Sequence, residues 1–141
     1  MRYAYSSFRR RWGVPSKRAV GGALVWQLND CWPVTSWAII DSLGTPKPAY
    51  YTIKRELEPI TLGLCQTEGG CEIWASNLEE TPREGTLELC AYDFEGKEIA
   101  NEKRHVFINP NSTTEFGVWN ISNAMVINGG TWSRLLFFAM G

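Results

Sequence analysis

Residues 21–30 read Gly21-Gly22-Ala23-Leu24-Val25-Trp26-Gln27-Leu28-Asn29-Asp30, a short, almost wholly apolar run that stops abruptly at two polar residues. Such a run fits a strand covered on both faces, as in a parallel sheet. Upstream, Met1, Tyr5, Phe8 and Trp12 fall at helical spacing, with Arg2, Arg9 and Arg10 on the remaining faces and Gly13 and Pro15 as terminators. The run Arg9-Arg10-Arg11 reads as a solvated helix end, where basic residues complement the helix dipole, rather than as a nucleic-acid patch. Downstream lies a long loop holding Cys31, Trp32, Pro33 and Trp37. Pro48 then occupies a first helical turn, and Ala49, Ile53 and Leu57 form an apolar stripe that Glu58-Pro59 ends. Helix, buried strand, loop, helix is the rhythm of a TIM (β/α)8 barrel, of which residues 1–59 hold only the last strand and helix units. One strand cannot close a barrel. Residues 1–59 are therefore not expected to be stable alone, and the chain reads as a fragment of a longer protein with Met1 internal to it.

After Pro59 the period changes from helix to strand. Residues 60–66, 71–77, 85–92, 98–107, 113–119 and 134–139 read as short strands, separated by turns rich in Asn, Gly, Pro and charge. Several strands with no helix among them predict an antiparallel β-sandwich over residues 60–141, with the boundary near 58–61. Alternation turns Trp74 and Trp119 inward.

Bulk properties narrow the function classes. Hydrophobic residues make up 44% and charged residues 21%, so a core can be buried and disorder is not indicated. A net charge of -1 gives no electrostatic footprint for nucleic acid or an anionic membrane. No segment approaches the roughly 20 apolar residues of a membrane span. Cys31, Cys65, Cys71 and Cys90 form no Cys-x-x-Cys pair and His105 is the only histidine, so no zinc site is expected. The cysteines read as reduced and mostly buried, which favours the cytosol. His105 reads as a surface or edge residue. Seven tryptophans leave two readings open, core packing and stacking on sugar rings.

The stretch Gly22-Ala23-Leu24-Val25-Trp26-Gln27-Leu28-Asn29-Asp30-Cys31-Trp32-Pro33-Val34-Thr35-Ser36-Trp37 closely resembles the eighth barrel strand and following loop of family 2 β-mannosidases. Ala4-Tyr5 with Phe8-Arg9-Arg10 resembles the preceding helix. Lys47-Pro48-Ala49-Tyr50-Tyr51 with Lys54-Arg55-Glu56-Leu57 resembles the final barrel helix, particularly of the fungal enzymes that lack a secretion signal. Residues 61–141 stand where those enzymes carry an immunoglobulin-like module. The loop departs from close relatives at Asp41-Ser42-Leu43-Gly44-Thr45, where a tyrosine-rich stretch is usual. Gln27 and Asp30 carry the choice of mannosidase over related enzymes, since those acting on glucosamine have an Asn-Asn pair at the place of Asn29-Asp30.

The resemblance implies a retaining exo-glycosidase that removes terminal β-D-mannose from non-reducing ends, with β-mannosides and mannooligosaccharides as partners and no cofactor. Trp26 then lines the terminal mannose pocket, its indole covering the C–H face of a pyranose. Asn29 and Asp30 are candidates to bind hydroxyls or to hold the loop, and Trp32 and Trp37 to bind sugar or pack the loop. Gln27 is expected to point into the barrel wall. Retaining hydrolysis needs two carboxyl groups about 5–5.5 Å apart. The family takes both from glutamates on earlier strands, and no Asp or Glu precedes Trp26 here. The fragment alone is therefore expected to be inactive. Thr114-Glu115-Phe116-Gly117 resembles the run around the family's nucleophile, but it follows the Trp-Gln-Leu-Asn-Asp segment instead of preceding it, so Glu115 is not expected to be catalytic. The sequons at Asn111 and Asn120 would accept glycans only on a secretory route. A competing reading makes residues 61–141 a non-catalytic accessory or carbohydrate-binding module, which would need exposed aromatics among Trp74, Trp119 and Trp132.

Overall fold

The computed structural model describes residues 2–11, 20–67, 70–93, 95–120 and 134–138. The expected helix end at Trp12, Gly13 and Pro15, together with Trp132, lies outside them. Among the described residues two helices, α1 (Arg2–Arg10) and α2 (Pro48–Glu56), precede six strands: β1 (Ile60–Thr67), β2 (Gly70–Asn77), β3 (Arg83–Tyr92), β4 (Glu98–Ile108), β5 (Ser112–Trp119) and β6 (Arg134–Phe138). Pro48 stands in the first turn of α2, where its fixed φ suits the helix and its missing N–H costs nothing, and Lys54 and Arg55 complement the dipole in the last turn.

The strands form two three-stranded sheets, ordered β1-β2-β5 and β4-β3-β6, with every neighbouring pair antiparallel. Alternate residues of both sheets meet in one core of Cys71, Ile73, Leu87, Leu89, Ala91, Val106 and Trp119, with Leu62, Leu64, Ile99, Ala100 and Phe116 against it. This is the predicted antiparallel sandwich. Turn chemistry joins the strands. Asn77 accepts from the Glu79 N–H and donates to the Thr81 carbonyl after β2, and Asp93 Oδ1 accepts from the N–H groups of Glu95 and Lys97 between β3 and β4.

β5 contains a bulge. Glu72 pairs with Val118 and Trp74 with Glu115, so Ile73 alone opposes both Phe116 and Gly117. Gly117 has φ +81°, a conformation that glycine adopts without steric cost. The extra residue lets both Phe116 and Trp119 reach the core, which strict alternation over an odd spacing would forbid.

The outer face of the β1-β2-β5 sheet carries helix α1. The fully buried guanidinium of Arg9 donates to Ser76 Oγ (3.3 Å) and to the carbonyls of Glu56 (3.2 Å), Glu58 (2.7 Å), Pro59 (3.1 Å) and Ser76 (3.3 Å). Arg10 bridges Glu115 (2.8 Å) on β5 and Glu72 (2.9 Å) on β2, and Thr113 Oγ1 donates to the Arg9 carbonyl at 2.7 Å. The expectation that the arginine run is a solvated helix end fails for Arg9, which helix α1 turns inward onto the carbonyls that end α2. Trp74 is buried, as predicted, but not between the sheets. It alternates with Ile73, shares its face with Glu72 and Ser76, and lies over Gly63 under α1.

Two further expectations need correction. Residues 21–28 form no strand. A ladder needs neighbouring strands to take up backbone N–H and C=O groups, and among the described residues none pairs with this run. Cysteines 71 and 90 are buried but 31 and 65 are exposed, so burial accounts for half of them. His105 lies on the surface as expected, but its Nε2 is 3.1 Å from Glu84 Oε1, a partner supplied across the β3–β4 pair.

Candidate functional site

Between the helices, residues 20–47 form an irregular segment tied at its base. The Leu28 carbonyl accepts from the N–H groups of Ile39 (3.2 Å) and Ile40 (3.0 Å), Asp30 N–H donates to the Ile40 carbonyl (3.0 Å), and Lys47 N–H donates to that of Ile39 (2.8 Å). Asn29 and Ile40 form an isolated parallel bridge. Residues 29–40 are thus a closed loop with adjoining ends.

Period-two alternation survives in the run before it. Ala23 and Val25 pack towards Tyr5, Ile39 and Ile53, the cluster between the helices. Leu24, Trp26 and Leu28 face away; Leu24 is 98% and Trp26 74% exposed. The Trp26–Gln27 peptide bond is cis. Trp32 and Trp37 in the loop are likewise exposed, so none of these three indoles is core. Gln27 is exposed as well.

Asn29 is exposed, and its Nδ2 donates to the Asp30 carbonyl at 3.2 Å. Asp30 differs. Its side chain is 2% exposed, Oδ2 accepts from Lys47 Nζ at 2.7 Å, and Oδ1 accepts from Ser36 Oγ. Ser36 Oγ in turn accepts from the Ala38 N–H at 3.0 Å. The bond from Lys47 foremost, then that from Ser36, holds the Asp30 carboxyl below its ordinary value. The structure thus brings Asp30, Ser36 and Lys47 together and leaves Trp26, Asn29 and Trp32 facing solvent. The sequence pattern does not pair Asp30 with Ser36 or Lys47. The one available signal was that Lys47 immediately precedes the Pro48 helix start, close to the base of the loop.

Glu115, the look-alike of a nucleophile, is held on the sheet surface by Arg10 Nε (2.8 Å) and Nη2 (3.0 Å). Among the described residues no group of His, Cys, Asp or Glu could hold a metal ion, and no helix is long and apolar enough to cross a membrane.

Residues 69–134 match the family described as a Mannosidase Ig/CBM-like domain. The chain is 36% identical to Beta-mannosidase B of Thermothelomyces thermophilus over 137 residues, covering 84% of this chain and 16% of that protein. It is 40% identical to Beta-mannosidase B of Aspergillus terreus over 132 residues, covering 82% of this chain and 15% of that protein. The chain therefore spans about one sixth of the length of these relatives. Among solved structures, the β-D-mannosidase of Dictyoglomus thermophilum superposes with a TM-score of 0.73 at 31% identity, over 85% of this chain and 14% of that one. An exo-chitosanase from Amycolatopsis orientalis shares the fold, at TM-score 0.69 and 19% identity, over 84% of this chain and 14% of that one. A mannosidase-type sandwich behind a loop segment shared with fungal and bacterial enzymes of one name leads to one conclusion: the chain belongs to the β-mannosidase family.

Proposed function

We propose that residues 1–59 supply the last strand and helix units of a catalytic TIM barrel and residues 60–141 its immunoglobulin-like brace, in a retaining exo-glycosidase that releases terminal β-D-mannose. The observation that carries this reading is the alternation at 23–28. Ala23 and Val25 pack on the helix side, while Leu24, Trp26 and Leu28 face outward with no partner among the described residues. A barrel strand has that arrangement, with helices on one face and the interior on the other. Trp26 stands near the strand's C-terminal end, where barrel enzymes keep their chemistry, and Asn29 and Trp32 stand on the loop that follows. In this role the Trp26 indole covers a mannose ring, Asn29 offers an amide to its hydroxyls, and Trp32 borders the pocket.

Double displacement needs a nucleophile and an acid/base on two carboxyl groups about 5–5.5 Å apart. This reading assigns both to segments outside the 141 residues. Purified chain mixed with p-nitrophenyl β-D-mannoside is expected to release nothing above the buffer blank. The same residues spliced into a full-length β-mannosidase, in place of the matching segment, are expected to support turnover. In that hybrid Trp26→Ala should lower kcat/KM by at least about tenfold, the loss of one well-placed sugar contact worth about 1.4 kcal/mol. Turnover unaffected by Trp26→Ala would remove the basis of the reading.

The accessory-module alternative is not favoured. Trp74 and Trp119 are 1% and 5% exposed, so neither offers an indole face to a sugar. The outer face of the β1-β2-β5 sheet is already occupied by α1.

A further inference from the structure

We infer that Asp30 is a positioning residue, a buried latch that fixes the loop bearing Trp32 and Trp37 through Ser36 and Lys47, and not a ligand for sugar hydroxyls. Both of its carboxylate oxygens are already engaged, one by Ser36 Oγ and the other by Lys47 Nζ at 2.7 Å, and its side chain is 2% exposed. A hydroxyl of a bound sugar would have to displace a charged partner from a nearly buried carboxylate. The three residues also span the loop. Asp30 is at its N-terminal end, Ser36 next to Trp37, and Lys47 at the start of α2, whose Ile53 is buried against Tyr5 and Ile39. The latch thus ties the aromatic loop to a helix anchored in the helix–helix core. The chain of bonds continues from Ser36 Oγ to the Ala38 N–H, so the carboxylate orders the backbone beside Trp37 as well.

A positioning role for sugar binding rests on the rim reading of residues 26–37, but the latch itself is open to measurement without sugar. The probe is the indole N–H resonances of the intact 141-residue chain, recorded below the concentration at which it self-associates, with Trp74 and Trp119 as internal references on the sandwich. Asp30→Asn and Lys47→Gln are expected to move or broaden the Trp32 and Trp37 signals and to leave Trp74 and Trp119 in place. Lys47→Arg, which keeps the charge and a donor, is expected to retain the wild-type pattern. Should Asp30→Asn fail to fold, the contrast between Lys47→Gln and Lys47→Arg decides. Loop signals unmoved by Asp30→Asn would overturn the latch. So would an equal response to Lys47→Gln and Lys47→Arg, or movement of Trp74 and Trp119 along with the loop in every variant. The full-length hybrid tests the rim separately. If Trp26→Ala there leaves kcat/KM unchanged while the variant pattern holds, the sugar-facing reading falls and the latch stands.

Discussion

Arg9 has five N–H donors, and each has an acceptor: Ser76 Oγ and four carbonyls at or beyond the end of α2 and on β2. The Glu56 and Glu58 carbonyls stand at and beyond the end of α2, where the helix has no further turn to supply donors, so a side chain from another element caps α2. Burial pushes the guanidinium pKa down, with the charge of Glu56 opposing that shift, and the group stays charged. A lysine in its place has three donors on a point charge and cannot span the same set. Arg9→Lys is expected to lower stability by roughly 3 kcal/mol, on the scale of breaking a buried charged hydrogen-bond set. Arg11→Ala, at an exposed position, should change it by less than about 0.5 kcal/mol. Urea unfolding followed by circular dichroism measures both, and equal costs would refute the capping role. The burial of Arg9 was legible in principle: it follows Tyr5 by one helical turn and so falls on the apolar stripe of Tyr5, Phe8 and Trp12. The triple-arginine run drew attention to charge and hid that position. Asp30 was harder to read, because its partners lie 6 and 17 residues away and no secondary-structure period links those spacings. At Gly63, a Cβ would stand 1.9 Å from the Trp74 ring. Gly63→Ala is therefore expected to cost about 1–3 kcal/mol as an overpacked site and to alter the emission of a buried indole. A variant as stable as the parent would show that Trp74 can move aside.

Strands 60–67 through 112–119 were legible because each is long enough for alternation to show, and turn residues such as Asn77 and Asp93 bond the backbone between them. The run at 21–28 shows the limit of that logic. Its composition specifies which faces are covered, and Ala23 and Val25 do pack on the helices, but a strand exists only where another strand completes its hydrogen bonds. The β5 bulge was not legible either, since Gly117 could equally have been a weak point in a regular strand. Its φ of +81° makes it the residue that changes the phase of the strand. A Cβ there would meet nothing within 4 Å, so any cost of substitution comes from backbone conformation alone. Gly117→Ala should lose about 1–2 kcal/mol, the cost of a left-handed L-residue. If the bulge shifts to relieve it, Trp119 leaves the core and its emission moves to the red. Thermal melts with fluorescence separate the two responses, and an unchanged melting temperature would contradict the phase argument.

At the scale of the molecule, Asp30 and Asp41 are held below their ordinary value of 3.8, Asp30 chiefly by Lys47 and Asp41 chiefly by the Thr45 backbone N–H. Glu79 and Glu102 are held below 4.5, chiefly by Arg83 and Arg104. Folded values below unfolded ones mean that the unfolded chain binds more protons in the acid range, so stability rises with pH there. The stabilisation from these four groups is complete above about 4.5 and is lost as pH falls through the folded values. The urea midpoint should therefore hold steady from neutrality down to about pH 5 and fall below about pH 4. A midpoint that improves on acidification would contradict the assigned pairs. A second property belongs to the whole chain. Leu24, Trp26, Leu28, Trp32, Val34 and Trp37 are all exposed within one short stretch. Soluble monomers rarely leave a contiguous apolar patch of more than a few hundred Å² facing water, and among the described residues no strand pairs with residues 21–28. In a barrel both would be covered. On its own the chain is expected to self-associate at concentrations on the order of tens of micromolar, through this stretch and not through the sandwich. Sedimentation velocity over a concentration series reads the association, and Leu24→Ser with Leu28→Ser should weaken it while leaving the melting of the sandwich unchanged. If the parent chain stays monomeric at millimolar concentration, the outward face of 24–28 needs no cover, and the argument that it is the inner wall of an unfinished barrel loses its physical basis.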